Sequence, residues 1–207
     1  MDIQPESSSL RADIYLLLST LFRQAPSPAL LELLTLLDTV ADGSEMQNAW
    51  LQLKAAASRY SDAELEEEYQ QLFIGIGRGE VVPFASWHLT GSLMEKPLAE
   101  IRTDLARLGF ERQEHVKEPE DHISALCEVM AALMEQTDAQ QQAFFNRHLA
   151  TWYVSLTKQI DQAEHAGFYL AVSQLLGAFF NLEKVRLTQI MPDNKTKLKI
   201  EIKNLAD

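Results

Sequence analysis

The sequence predicts an all-α protein of about eight to ten helices. Three observations carry that prediction: apolar residues recur at three- and four-residue spacing along nearly the whole chain; helix-capping residues stand where those stretches begin; and no strand-turn-strand pattern precedes the C-terminal stretch. Helices are expected at 8–23, 28–40, 45–59, 62–73, 94–108, 119–135, 139–164 and 168–187. Ser27 before Pro28 has the form of an N-cap followed by a first-turn proline, and Ser61 with Glu64 three residues later has the form of a capping box. Gly109 suits the C-cap of the helix before it. Pro119 suits the first position of the next helix, because its fixed φ is helical and its missing N–H would have no intrahelical partner there.

Two segments fall outside this pattern. Residues 75–91 contain Gly75, Gly77, Gly79, Pro83, Trp87 and Gly91 and are expected to be non-helical, too long for a routine connector yet too apolar at Val81, Val82 and Phe84 for disorder. Residues 109–118 form a charged connector, which makes a hinge between two helical halves and permits exchange of halves between protomers, so that monomer and exchanged dimer both stay open. The expected division is one helical domain over 1–190 and a tail over 191–207. In that tail Lys197 to Lys203 alternates like a strand with no obvious partner.

Composition narrows the function. With 46% apolar residues the 207-residue chain can bury a sizeable core, and a formal charge of −12 disfavours nucleic acid as a partner and suits a basic one. The apolar runs near Ile14–Phe22 and Ala29–Leu37 are too short to cross a membrane. The N-terminus is acidic and lacks an apolar signal region, so a cytoplasmic location is expected. Cys127 is the one cysteine and sits among Leu126, Val129 and Met130, where a buried, inert thiol is expected.

Chemistry-bearing residues cluster at Glu118-Pro119-Glu120-Asp121-His122. In a helix beginning at Pro119, Glu118 and His122 would share a face with Asp121 beside them, a small polar cluster at a helix mouth. Such a cluster also describes an ordinary well-charged helix start. No serine or cysteine is placed as a nucleophile beside Asp121-His122. The five histidines form neither HxxxH nor HExxH, and further metal ligands for Glu118 and His122 would have to come from as far as His88 or His115. Gly75-Ile76-Gly77-Arg78-Gly79 is not a dinucleotide loop: a helix precedes it, and the third glycine of that motif would fall at Glu80. Its glycines supply backbone freedom and close approach instead. Trp87 reads either as a residue closing the core or as a rigid anchor for a partner.

Tyr69-Gln70-Gln71-Leu72-Phe73-Ile74-Gly75-Ile76-Gly77, then Val82-Pro83-Phe84-Ala85-Ser86-Trp87, then Glu118 to Ile123, together resemble the TorD/DmsD family of cytoplasmic chaperones for molybdoenzymes. The resemblance continues through Leu93-Met94, Arg107 to Phe110, Phe145, His148-Leu149, Trp152 and Phe168-Tyr169. It departs at His88, where many members carry tyrosine, and at Thr151, where a proline often precedes the tryptophan. The resemblance implies a TorD-like helical domain with no catalytic residues, no metal and no cofactor of its own. It implies that Pro83, Phe84, Ser86, Trp87, Glu118, Pro119, Asp121 and His122 bind the client, over a loop backbone set by Gly75 and Gly77. The implied client is the precursor of a molybdopterin-dependent oxidoreductase, met as twin-arginine signal peptide and apoenzyme, with cofactor-delivery proteins as further partners. The acids would meet the arginines, and a groove lined by Phe84 and Trp87 would take the apolar part. Rival readings are a metal- or nucleotide-dependent hydrolase built on His122 and its neighbouring acids, and a helical adaptor without a dedicated client.

Overall fold

A computed structural model describes residues 5–75, 78–113 and 116–189, with the side chains of 5–9 and 189 left aside. Among these residues there are ten α-helices, one π-turn and no strand. Gly77, His115 and the tail over 191–207, each named above, lie outside the described residues.

The chain begins with α1 (Pro5–Arg23), and α2 (Pro28–Leu36) starts as expected, with Ser27 Oγ accepting from the Leu30 N–H at 3.3 Å. It stops four residues short of the expected end. Leu37 turns extended, and its carbonyl accepts from Lys54 Nζ at 2.9 Å in α3 (Glu45–Ala57). The Ser61–Glu64 capping box forms at the start of α4 (Asp62–Tyr69), which runs on into a π-turn at Gln70–Ile74.

Next come α5 (Ala85–Thr90), α6 (Lys96–Leu108), α7 (Ile123–Leu133), α8 (Asp138–His148), α9 (Tyr153–Asp161) and α10 (Phe168–Gln189). Three of these correct the sequence reading. Residues 75–91 are not wholly irregular, since α5 forms inside them. The helix expected from Pro119 starts only at Ile123, with His122 as its N-cap, so the four-apart geometry of Glu118 and His122 does not exist. The helix expected over 139–164 is two helices. At the break Trp152 Nε1 donates to the His148 carbonyl at 2.6 Å, taking an acceptor that a continuous helix would have given to a backbone N–H.

The core is built where α1, α7 and α10 meet. Tyr15, Leu18, Leu21 and Phe22 pack with Ile123, Leu126, Cys127 and Met130, and with Tyr169, Val172, Leu176 and Phe180, all fully buried. Burial pushes the Cys127 thiol up, away from the reactive thiolate. Edge-on aromatic contacts extend the core, with ring centroids 4.8 Å apart for Tyr15–Phe179 and 5.4 Å for Phe145–Phe180.

Two polar devices hold α10. At its start the buried Glu68 carboxylate accepts from the N–H groups of Gly167, Phe168 and Tyr169 at 2.8, 3.0 and 2.8 Å, capping the helix from α4. Toward its end Glu183 receives Arg11 in a two-pronged pair at 2.8 and 2.6 Å and the Tyr15 hydroxyl at 2.9 Å, while Arg11 also reaches Gln141 at 3.1 Å. This buried network ties α1, α8 and α10 together.

Candidate functional site

The π-turn sets one wall of the site. The Gly75 N–H reaches the Gln70 carbonyl at 2.7 Å, and Gly75 takes a positive φ of 59°. A Cβ there would stand 2.3 Å from the Arg78 carbonyl oxygen, and one at Gly79 would stand 2.3 Å from that of Leu72, so the close chain crossing requires both glycines. The turn leaves Tyr69 and Phe73 stacked against α1 and α10: their rings lie 5.1 Å apart, Phe73 meets Tyr169 at 4.9 Å, and the Tyr69 hydroxyl donates to the Arg23 carbonyl at 2.7 Å.

The two other segments singled out in the sequence come together. Phe84 and His122 form an antiparallel bridge. The Ala85 N–H donates to the Asp121 carbonyl and the Ile123 N–H to the Pro83 carbonyl, both at 2.9 Å. The Asp121 side chain then caps α5, accepting from the Ser86 N–H at 2.9 Å. This is why α5 forms without a local capping side chain: its cap comes from a segment 35 residues away.

His122 is buried at this junction. Its Nδ1 accepts from the Ser124 N–H at 3.1 Å, which leaves the ring proton of the neutral form on Nε2. Burial, and after it the Arg23 charge, pull its pKa down to about 3. Phe84 meets the ring edge-on at 4.8 Å. Beyond it, Ser124 receives Arg23 Nη2 at 3.3 Å, and Arg23 also pairs with Glu128.

Around the junction opens a cleft of about 560 Å³. Phe73, Ile74, Pro83, Phe84, Leu105, Phe110, Val116, Val129 and Ala132 supply its apolar lining, and Glu111, Glu118, Glu120 and Glu128 its acids. Arg102 and Arg112 hold Glu120 at 2.9 and 3.4 Å, and Arg23 holds Glu128. Glu118 is exposed and carries no ion pair among the described residues. Burial first, then the charges of Glu118 and Glu66, push the Tyr69 phenol up to about 12.

Of the residues expected to bind a partner, Pro83, Phe84, Glu118 and His122 line this cleft. Pro119 is half-buried beside it. Ser86 and Asp121 are buried behind it, at 0% and 1% exposure, where they join the two segments. Trp87 does not line the cleft, contrary to the expected pairing with Phe84; it is half-buried, with the Arg78 guanidinium 4.7 Å over its ring. His88 points inward, stacked on Trp152 at 5.1 Å, with Nε2 donating to the Val82 carbonyl at 2.8 Å and Nδ1 on Ser155 at 2.9 Å. Thr151 lies exposed in the turn between α8 and α9. Among the described residues no group of three or more His, Cys, Asp or Glu converges on a point that would hold a metal.

Sequence reasoning missed Arg23, Phe110, Arg112, Glu128 and Val129 as cleft residues. Part of that set was within reach, since Ala125, Val129 and Ala132 follow His122 by three, seven and ten residues and so share its face, with Glu128 one step beyond on the same side as Ala125.

The family model for the nitrate reductase delta subunit matches residues 41–158, a span that includes both bridged segments. The TorD chaperone protein of Vibrio parahaemolyticus is 27% identical over 202 residues, covering 86% of this chain and 94% of its own. That of Aliivibrio fischeri is 27% identical over 198 residues, covering 84% and 92%. A crystal structure from Archaeoglobus fulgidus, assigned as a redox enzyme maturation protein, superposes with a TM-score of 0.54 at 18% identity, covering 84% of this chain and 93% of the other, and so shares the fold.

Proposed function

The chain belongs to the nitrate reductase delta subunit family, the family of the TorD chaperones, and from that premise we propose that its cleft receives the twin-arginine signal segment of a molybdopterin-dependent oxidoreductase precursor. In this reading the protein is a maturation chaperone and not an enzyme, as its relatives are named chaperones. It acts in the cytoplasm, holding the precursor until the cofactor is inserted and export can follow.

The observation that carries the reading is the junction of Pro83–Ser86 with Asp121–Ile123, which sets an apolar wall beside an acidic fringe. A signal of this type is basic at its start and apolar in its middle, so the cleft complements both parts. Phe84, Phe73 and Val129 offer surface to the apolar stretch. Glu118 offers a carboxylate that no internal arginine occupies among the described residues, and a guanidinium binds such a group through charge-assisted hydrogen bonds. Glu120 and Glu128, already paired with Arg102, Arg112 and Arg23, set the rim in place. Ser86, Asp121 and His122 hold the two segments in register.

Calorimetric titration of the full chain tests this, using synthetic signal peptides from the host's molybdoenzyme precursors and variants lacking the arginine pair. One peptide should bind with micromolar or better affinity, about −8 kcal/mol. Glu118→Gln should weaken the arginine-bearing peptide by about tenfold, a loss typical of one charge-assisted hydrogen bond, and should leave the arginine-free variant unchanged. Absence of binding to every peptide, even with the mature apoenzyme added, would overturn the proposal.

A further inference from the structure

The client cleft leaves a second and larger hollow without a role. Between α1, α2, the 37–44 connector, the start of α3 and the last turns of α10 runs a groove of about 1100 Å³. Ile14, Leu34 and Phe179 lie deep in it, while Leu10, Leu33, Val40, Leu182 and Val185 line it at 61%, 56%, 79%, 56% and 58% exposure. A contiguous apolar surface of this kind marks a docking site. Its charged edge is acidic: Asp13, Asp38 and Asp42 carry no ion pair among the described residues, Arg11 is committed to Glu183, and Arg186 stands alone against them.

We propose that residues 195–203 of this same chain are the groove's occupant, a strap supplied by the chain itself. Position supports it. Phe179, Leu182, Val185 and Arg186 of α10 line the groove, and three residues later the chain passes Gln189 into residues 190–207, which lie outside the described structure. Because Tyr15 meets Phe179 and Arg11 meets Glu183, α1 and α10 run antiparallel, and the groove extends back along α10 from its end.

Length supports it too. The way back from Gln189 to the level of Phe179 is about 15 Å of helix, and the nine residues 195–203 span about 30 Å when extended. Pro192-Asp193-Asn194, residues that favour turns, stand where the chain would have to reverse.

The sequence of the strap matches the groove in pattern and charge. Leu198, Ile200 and Ile202 alternate with Lys197, Lys199, Glu201 and Lys203, so an extended segment offers one apolar face and one basic face. The apolar face meets the groove, and the lysines, which outnumber the single glutamate, meet Asp13, Asp38 and Asp42. The tether holds the segment at an effective concentration of about millimolar, so a contact too weak to form between separate molecules suffices.

Disulfide trapping in the full chain tests the proposal. One variant carries Leu33→Cys with Ile200→Cys; the control carries Leu89→Cys, exposed on α5 away from the groove, with the same Ile200→Cys. Cys127 stays, being fully buried. Mild oxidation in dilute solution should join the groove pair within one chain, several-fold faster than the control pair. Equal yields would overturn the proposal, as would a link formed between two chains, which would make a second copy the occupant. An independent variant, Ile200→Asp with Ile202→Asp, should raise binding of an apolar fluorescent dye several-fold and speed hydrogen exchange over 33–46. Unchanged dye binding and exchange would equally refute the strap.

Discussion

Replacing His122 by asparagine separates its capping role from its titration, and the two have opposite consequences at different pH. Asparagine keeps an acceptor for the Ser124 N–H and cannot be protonated at these pH values. In the folded chain burial and the Arg23 charge hold His122 to a pKa of about 3, while the unfolded chain has the ordinary value near 6.5. Between those values the unfolded state binds the extra proton, so stability rises with pH. The contribution of the neutral ring is fully present above pH 6.5 and is lost as pH falls toward 3. For one such group the linkage relation gives a loss of about 2 kcal/mol between pH 7 and pH 5, or roughly 4–8 °C in Tm for a chain of this size. His88 and His148 are also held low by burial and act with the same sign, while His165, raised by its hydrogen bond to Glu80, acts against them. They persist in the variant, so the difference between the two proteins isolates His122. At pH 7 the variant should be less stable by about 1 kcal/mol, having lost the edge contact with Phe84. Near pH 5 it should match or exceed the parent. Urea unfolding at both pH values reads the crossing, and parallel stability curves over that range would refute the assignment of a buried, neutral imidazole.

Glu68→Ala removes the acceptor from three N–H groups at the start of α10 and should cost about 3–5 kcal/mol by thermal unfolding, because buried donors left unmade are expensive. Arg11→Met should cost a similar 3–5 kcal/mol, since it strands Glu183 beside an apolar groove, and pairing it with Glu183→Leu should restore much of that loss in a double-mutant cycle. Gly75→Ala meets both a positive φ and the Arg78 carbonyl oxygen, so a loss of about 2 kcal/mol or more is expected in urea titration, against little change for Gly43→Ala beyond its own backbone strain, where the Cβ meets open space.

Much of the helical frame was legible because helix signals are local. The Ser27 cap, the Ser61–Glu64 box and Gly109, at a left-handed φ of 78°, each lie within one turn of what they cap. Misplaced boundaries share one cause, a partner distant in sequence. The Asp121 carboxylate looked like a first-turn acid for the helix at Pro119, yet it caps α5 instead, and His122 takes over the start of α7. The indole of Trp152 ends α8 through a side-chain hydrogen bond that periodicity does not register. For the site, the resemblance picked out both segments, but only the fold shows that Phe84 and His122 pair, that Trp87 faces elsewhere, and that Arg23 from α1 enters the cleft.

The Phe84–His122 junction is sewn by peptide groups, with the carbonyls of Pro83 and Asp121 taking the neighbouring N–H groups. Main-chain stitching is blind to what the side chains are, so the seam and the surface it displays can change independently. A designer wishing to retarget the cleft can therefore exchange Phe84, Glu118 or Val129 as interchangeable tips on a fixed holder. The holder itself resides in the Asp121 cap on α5 and in Gly75 and Gly79, where an added or lost side chain alters the tool rather than its bit.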